Sequence, residues 1–248
     1  MRFDVFTTLP AMFEGPLTQS IVRRAVERGI LSIHVHDLRN WTTDRHRSTD
    51  DYPYGGGAGM VMKPEPIFRA VEEVVGADPE QRGDTPIVLL TPAGETFTQR
   101  IAERLAGLQR LALICGHYEG VDDRVRQGLA TMELSIGDYV LSGGEIASAV
   151  VVDAVARLVP GVIQQASHED ESRHVGPAGV PTLHPPRRVP SVTVPDVLLS
   201  ATTASLTRGG WSRRCASPRP PPRPASLLEA ERRAPTAKPD DDDPDDAG

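Results

Sequence analysis

Cysteine, aromatic side chains, long apolar runs and net positive charge are all scarce in this chain, and each scarcity removes a class of protein. Only two cysteines occur among 248 residues, Cys115 in an apolar run and Cys215 in a polar one. That excludes a disulfide framework and fits a reducing compartment. No apolar run approaches the roughly 20 residues that span a bilayer. The opening MRFDVFTTLP lacks the basic-then-apolar layout of an export signal. The expectation is a soluble, cytoplasmic protein with no membrane partner. Two phosphate-binding signatures are missing as well: there is no G-x-x-x-x-G-K-[ST], and no G-x-G-x-x-G follows a strand. A nucleoside triphosphate or dinucleotide is therefore disfavoured, and with it a nicotinamide-dependent oxidoreductase.

The deficits are unevenly spread. Ten of the eleven aromatic residues precede position 140, whereas fourteen of the twenty-three prolines follow position 176. The first two thirds therefore read as globular and the last third does not. The net charge of −7 argues against a nucleic-acid partner, since phosphate binding wants Lys and Arg. Its distribution weakens that objection: Asp240 to Asp246 supplies six acidic residues, while Arg173 to Arg214 carries six arginines against one acid, Asp196. An acidic tail hides a basic patch from the total; equally, these arginines can serve only to keep a disordered stretch solvated.

In chain order, Arg2 to Thr7 reads as a strand ended by Pro10. Leu17 to Arg28 reads as a helix with Leu17, Ile21 and Ala25 on one face and Gly29 as its stop. Leu31, Ile33 and Val35 alternate with Ser32, His34 and His36 as a half-buried strand. His34 and His36 stand at strand spacing, but with no third ligand nearby they read as exposed polar residues, and no metal site is assigned. The segment 36–51 has no period and reads as a long surface loop, leading to the glycines of 55–59 and an ordered turn at Met60 to Met62. Pro66 to Val75 follows as a helix, Ile87 to Thr91 as a buried strand, Pro92-Ala93-Gly94 as a turn, and 98–108 as a helix N-capped by Thr98.

The centre of the chain is Leu111 to Arg157. Leu111 to Cys115 is a short uncharged run that fits a strand buried on both faces of a parallel sheet, opening into GHYEG. A second strand-like run opens into SIGDYVLSGGE, and the Ala/Val-rich stretch Glu145 to Leu158 is a helix stopped by Pro160 and Gly161. Three strand exits, at Pro92, Gly116 and Ile136, thus fall on one edge, where open α/β sheets bind ligands. A backbone-lined pocket of this kind suits a nucleoside with few anionic groups.

ICGHYEG, SIGDYVLSGGE and the earlier PYGGGAGMVMKPEP closely resemble the bacterial tRNA (guanine-N1)-methyltransferases of the SPOUT class, from Met1 to about Ser172. The resemblance implies an α/β fold with a mainly parallel sheet flanked by helices and a carboxyl-terminal trefoil knot. It implies S-adenosyl-L-methionine bound in that knot, transfer of its methyl group to N1 of guanine 37 beside the anticodon, and a homodimer in which the cofactor site of one subunit and the linker of another jointly form the active site. Carried over residue by residue, cofactor contact falls on Gly116, Ile136, Gly137, Asp138, Tyr139, Val140 and Leu141, with Pro92. Tyr118 and Glu119 position the cofactor or the guanine, and Asp138 either shapes the knot loop or serves as a turn residue. The family's catalytic arginine matches Arg157, which without the resemblance reads as a cation at a helix C-terminus. Its acidic partner matches the stretch ASHEDES, where either Asp170 or Glu171 is the base.

Beyond Ser172 the family's pattern breaks, except for Val194-Pro195-Asp196-Val197-Leu198-Leu199-Ser200. Altered reading frames or a divergent tail would each give this. The implied organisation is a cofactor-binding knotted domain, 1–162, an interdomain linker, 163–190, and a remnant of a tRNA-binding domain, 191–248. Pro218 to Pro224 cannot be helical and Asp240 to Asp246 repels itself, so a largely disordered or degraded tail is expected. Such a tail supplies charge without register, which would impair grip on the anticodon arm of tRNA and hence methyl transfer. The alternative function is a homodimeric module that binds S-adenosylmethionine without transferring its methyl group.

Overall fold

The structure is a computed structural model describing residues 1–56 and 59–163, with the backbone of 188–189 and 192–193. Its first compact unit is Met1–Glu171 and its second Ser172–Gly248. In the second, Arg188–Val189 and Val192–Thr193 pair as short antiparallel strands. The expected linker, the tRNA-binding remnant, Asp170 and Glu171 otherwise lie outside the described residues.

Strand β1 (Arg2–Thr7) pairs on one side with β2 (Ser32–Asp37) and on the other with β6 (Arg110–Cys115). The sheet continues through β5 (Ile87–Thr96) to β7 (Met132–Ser135), in the order β2-β1-β6-β5-β7, with every pair parallel. Side chains alternate across it as strand geometry requires. Phe3, Val5, Val88, Leu90, Leu111 and Leu113 face α1 (Ser20–Glu27), α4 (Gln99–Ala106) and α6 (Gly144–Ala156). Phe6, Ile87, Leu89, Ala112 and Ile114 face α2 (Pro64–Val74) and α5 (Asp123–Gly128); a single-turn helix, α3 (Pro79–Arg82), lies between α2 and β5 in the chain. Both faces are covered, which is why β6 reads as an unbroken apolar run. No described helix is long and apolar enough to cross a membrane.

Several expectations are corrected. The segment 36–51 contains a 3-10 turn at Leu38–Trp41, and Asp50–Asp51 (β3) pairs with Val61–Met62 (β4). Thr98 occupies the N-cap of α4 but its side chain makes no capping hydrogen bond. His36 is not simply solvent-facing: its Nε2 lies 2.8 Å from Asp4 Oδ1 and its ring stacks on Phe6. The reason is that both faces of β2 are partly covered.

The turn at Pro92 to Gly94 belongs to a longer device. Leu134 of β7 is paired twice by β5, with Leu90 and again with Glu95. Between these pairings Gly94 passes so close that a Cβ there would meet Leu134 N at 2.5 Å and Glu133 C at 2.6 Å. The chain then returns from β7 across the exit of β6, where Gly144 N donates to Gly116 O at 2.7 Å. Here too only glycine fits, since a Cβ on Gly144 would lie 2.8 Å from Cys115 Cα.

Candidate active site

The exits of β5, β6 and β7 meet around a cleft of about 360 Å³, lined by 89–93, 116–121 and 133–144 with Asp138 excepted. The structure therefore brings together nine of the residues singled out in the sequence: Pro92, Gly116, Tyr118, Glu119, Ile136, Gly137, Tyr139, Val140 and Leu141. Asp138 is exposed and outside the lining, which fits its reading as a turn residue.

The walls are held by backbone. Tyr118 takes φ of +58°, a left-handed conformation that side chains seldom adopt. The loop bearing it is pinned by Glu119 N to Met60 O at 3.0 Å, Met62 N to Gly120 O at 2.9 Å and Asp122 N to Met62 O at 3.1 Å. The glycine-rich segment thus closes on GHYEG, and a Cβ on Gly59 would collide with the Glu119 side chain. On the opposite wall Tyr139 Oη donates to Ile136 O at 3.1 Å, folding the ring over Gly137.

Charge in the cleft is mostly negative. Glu119, Asp123 and Glu133 line it with one cation, Arg126, which already pairs with Asp123 at 2.5 Å and lies 3.9 Å from Glu133. The hydrogen bond from Arg126 draws the Asp123 carboxyl below the usual carboxylate range. Such a lining repels a polyphosphate and accepts a nucleoside bearing positive charge. The glycine walls and acidic excess fit a sulfonium nucleoside.

Arg157 is half-buried at the C-cap of α6, its amide donating to Asp153 O at 3.2 Å. It is not in the cleft lining. Gly144 and Ala147 are, in the first turn of this 13-residue helix, so Arg157 stands ten residues, about 15 Å along the axis, beyond the last of them.

Two polar residues at the site were not singled out by sequence. Glu145 is 2% exposed in the first turn of α6, and His117 lines the cleft between Gly116 and Tyr118. An acid opening an apolar helix reads as a partner of the helix dipole, and a single histidine in GHYEG carries no spacing signal. No group of three or more His, Cys, Asp or Glu able to hold a metal occurs among the described residues.

Comparison with known proteins gives a consistent result. The family model described as tRNA (Guanine-1)-methyltransferase TrmD matches residues 1–219, beyond the point at Ser172 to which the quoted motifs extend. The chain is 55% identical over 213 residues to a tRNA (guanine-N(1)-)-methyltransferase of Chloroflexus aggregans, covering 86% of this chain and 82% of the relative. It is 52% identical over 228 residues to that of Thermomicrobium roseum, covering 92% and 83%. Among solved structures, the tRNA (m1G37) methyltransferase from Aquifex aeolicus superposes with a TM-score of 0.67 at 36% identity, covering 81% of this chain and 83% of that one.

Proposed function

The chain belongs to the tRNA (guanine-N1)-methyltransferase family, and from that premise we propose that it methylates N1 of guanine 37 in the anticodon arm, using S-adenosylmethionine as donor and working as a homodimer. The observation that carries the donor assignment is the cleft where three strand exits meet, glycine-walled and acidic. Bound there, S-adenosylmethionine supplies an electrophilic methyl carbon on a sulfonium. Gly116 and the 136–141 loop offer backbone groups to adenine and ribose. Glu119 stands on the rim as a counter-charge to the donor's cationic part or a partner for the guanine, with Tyr118 beside it.

Methyl transfer also requires loss of the N1 proton and relief of the charge that moves onto the base oxygen. A carboxylate can take the proton and an arginine can stabilise the oxygen. We assign these roles to Asp170 or Glu171 and to Arg157. The placement of Arg157 outside the lining of its own cleft supports a reading in which a second copy brings this arginine to each site. An apolar stripe on α6 supports this assembly, with Ile146 53% and Val150 42% exposed one turn apart. The proposed division into a knotted domain 1–162, a linker 163–190 and a tRNA-binding remnant 191–248 puts the base in the linker.

Two measurements test this reading. Calorimetry on the full chain should show binding of S-adenosylmethionine and none of a nicotinamide dinucleotide; the reverse would remove the donor assignment. Arg157→Ala should bind the donor nearly as well as the wild type while transfer falls by about 10²–10³-fold, because the charge it meets develops only in the transition state. Intact transfer in that variant would show that Arg157 has no catalytic part.

A further inference from the structure

Beneath the cleft lies a buried polar pair whose groups face each other without closing. Thr7 Oγ1 donates to Glu145 Oε1 at 2.7 Å, across 138 residues of sequence. Thr7 Oγ1 in turn accepts from Leu9 N at 2.9 Å, so this half of the carboxylate is tied to the end of β1. The other oxygen, Oε2, is buried and has no hydrogen-bond partner. It points at His117 Nδ1, 3.7 Å away, which is also buried and without a partner. That separation is too long for a hydrogen bond. Nothing bulky intervenes, because the residue beside the gap is Gly143, whose Cβ would lie 2.3 Å from Oε2 and 2.4 Å from Nδ1.

Leaving such groups unmet is costly, and more so for a charged one. In sites that act on a ligand, long hydrogen bonds in the empty form tighten in the complex. His117 is placed to transmit a closure. Its ring meets Tyr118 edge-on with centroids 4.9 Å apart, its backbone bridges to Gly143, and both residues line the cleft.

We propose that Glu145 is a positioning residue for the cleft: its buried carboxylate accepts the Nδ1 proton of His117 when the cleft is filled, and through His117 it fixes Tyr118 and the 116–121 wall against the N-terminus of α6. The pair acts on donor affinity, not on the chemistry. The inference rests on S-adenosylmethionine being the occupant of this cleft.

A double-mutant cycle on the full chain tests it, with the dissociation constant of S-adenosylmethionine by calorimetry as readout and urea unfolding as the check on fold. Glu145→Leu and His117→Phe should each weaken binding about tenfold, and the double variant should bind no worse than either single one. Under saturating donor, single-turnover transfer should change far less than affinity. If Glu145→Leu fails to fold, Glu145→Gln replaces it, since the amide keeps the length and the Thr7 partner. It should bind more weakly than wild type, and make no difference in the His117→Phe background. Unchanged affinity in the single variants, or effects that multiply in the double, overturns the proposal. A wild-type chain that fails to bind the donor removes the proposed function and this inference with it, whereas variants that bind as well as a competent wild type remove only the inference.

Discussion

Asp4 sits inside the sheet with no exposed surface and is surrounded by donors: Arg2 at 2.8 Å, Arg110 at 2.7 Å and His36 at 2.8 Å. Burial alone would raise its pKa, but the hydrogen bonds from His36, Arg2 and Arg110 outweigh burial and hold the carboxyl well below the usual carboxylate range. A depressed folded-state value means that this stabilisation is complete above the unfolded value of 3.8 and is lost as pH falls through the folded one. Asp4→Asn should therefore cost about 3 kcal/mol at neutral pH, since it removes the buried charge on which Arg2, Arg110 and His36 converge. The difference from wild type should shrink below pH 3.8. Urea unfolding at neutral pH and near pH 3 checks this, and an equal difference at both would contradict it. Nothing in the sequence marks Asp4, because His36 and Arg110 reach it from two other strands. The same limit hid Glu145, whose contact with Thr7 exists only once β1 and α6 are packed. The cleft residues, by contrast, were legible from GHYEG and SIGDYVLSGGE, where glycine and a resemblance to a known family coincide.

Among the elements, strands buried on both faces were read most fully, since Leu111 to Cys115 and Ile87 to Leu90 carry their burial in an uninterrupted apolar run. The extension of β5 to Thr96 was missed for a physical reason: Pro92-Ala93-Gly94 looks like a turn, and its second pairing with β7 is made by backbone, which leaves no side-chain pattern. Helix α5 was missed because only Val125 of its six residues is buried, too little for a period to show. The crossing at Gly94 yields a prediction. Gly94→Ala places a methyl group into the backbone of Glu133 and Leu134, and overpacking of this kind costs about 1–3 kcal/mol. Because β5 and β7 both line the cleft, donor affinity should fall with stability. A wild-type urea midpoint and wild-type affinity would show that the crossing is loose.

At the scale of the whole molecule, α6 is longer than the cleft it lines. Its first turn lines the cleft while Arg157 stands at the far end, and the proposed assembly therefore has two copies share each active site. Replacing the exposed stripe with charge, as Ile146→Lys with Val150→Lys, should give a monomer by sedimentation that still binds S-adenosylmethionine and has lost methyl transfer. A monomer with full transfer would place the whole site in one chain. The tail, read from its composition as a poor scaffold for RNA, lies almost wholly outside the described residues, although the family match reaches residue 219. The most direct test of the central claim is therefore made on the full chain: single-turnover transfer from S-adenosylmethionine to a tRNA transcript carrying guanine at position 37 and to one in which that guanine is replaced, with the product nucleoside identified by mass. Methyl transfer to guanine 37 requires N1-methylguanosine from the first transcript and none from the second. No methylated product, or methylation that ignores the guanine, would contradict it.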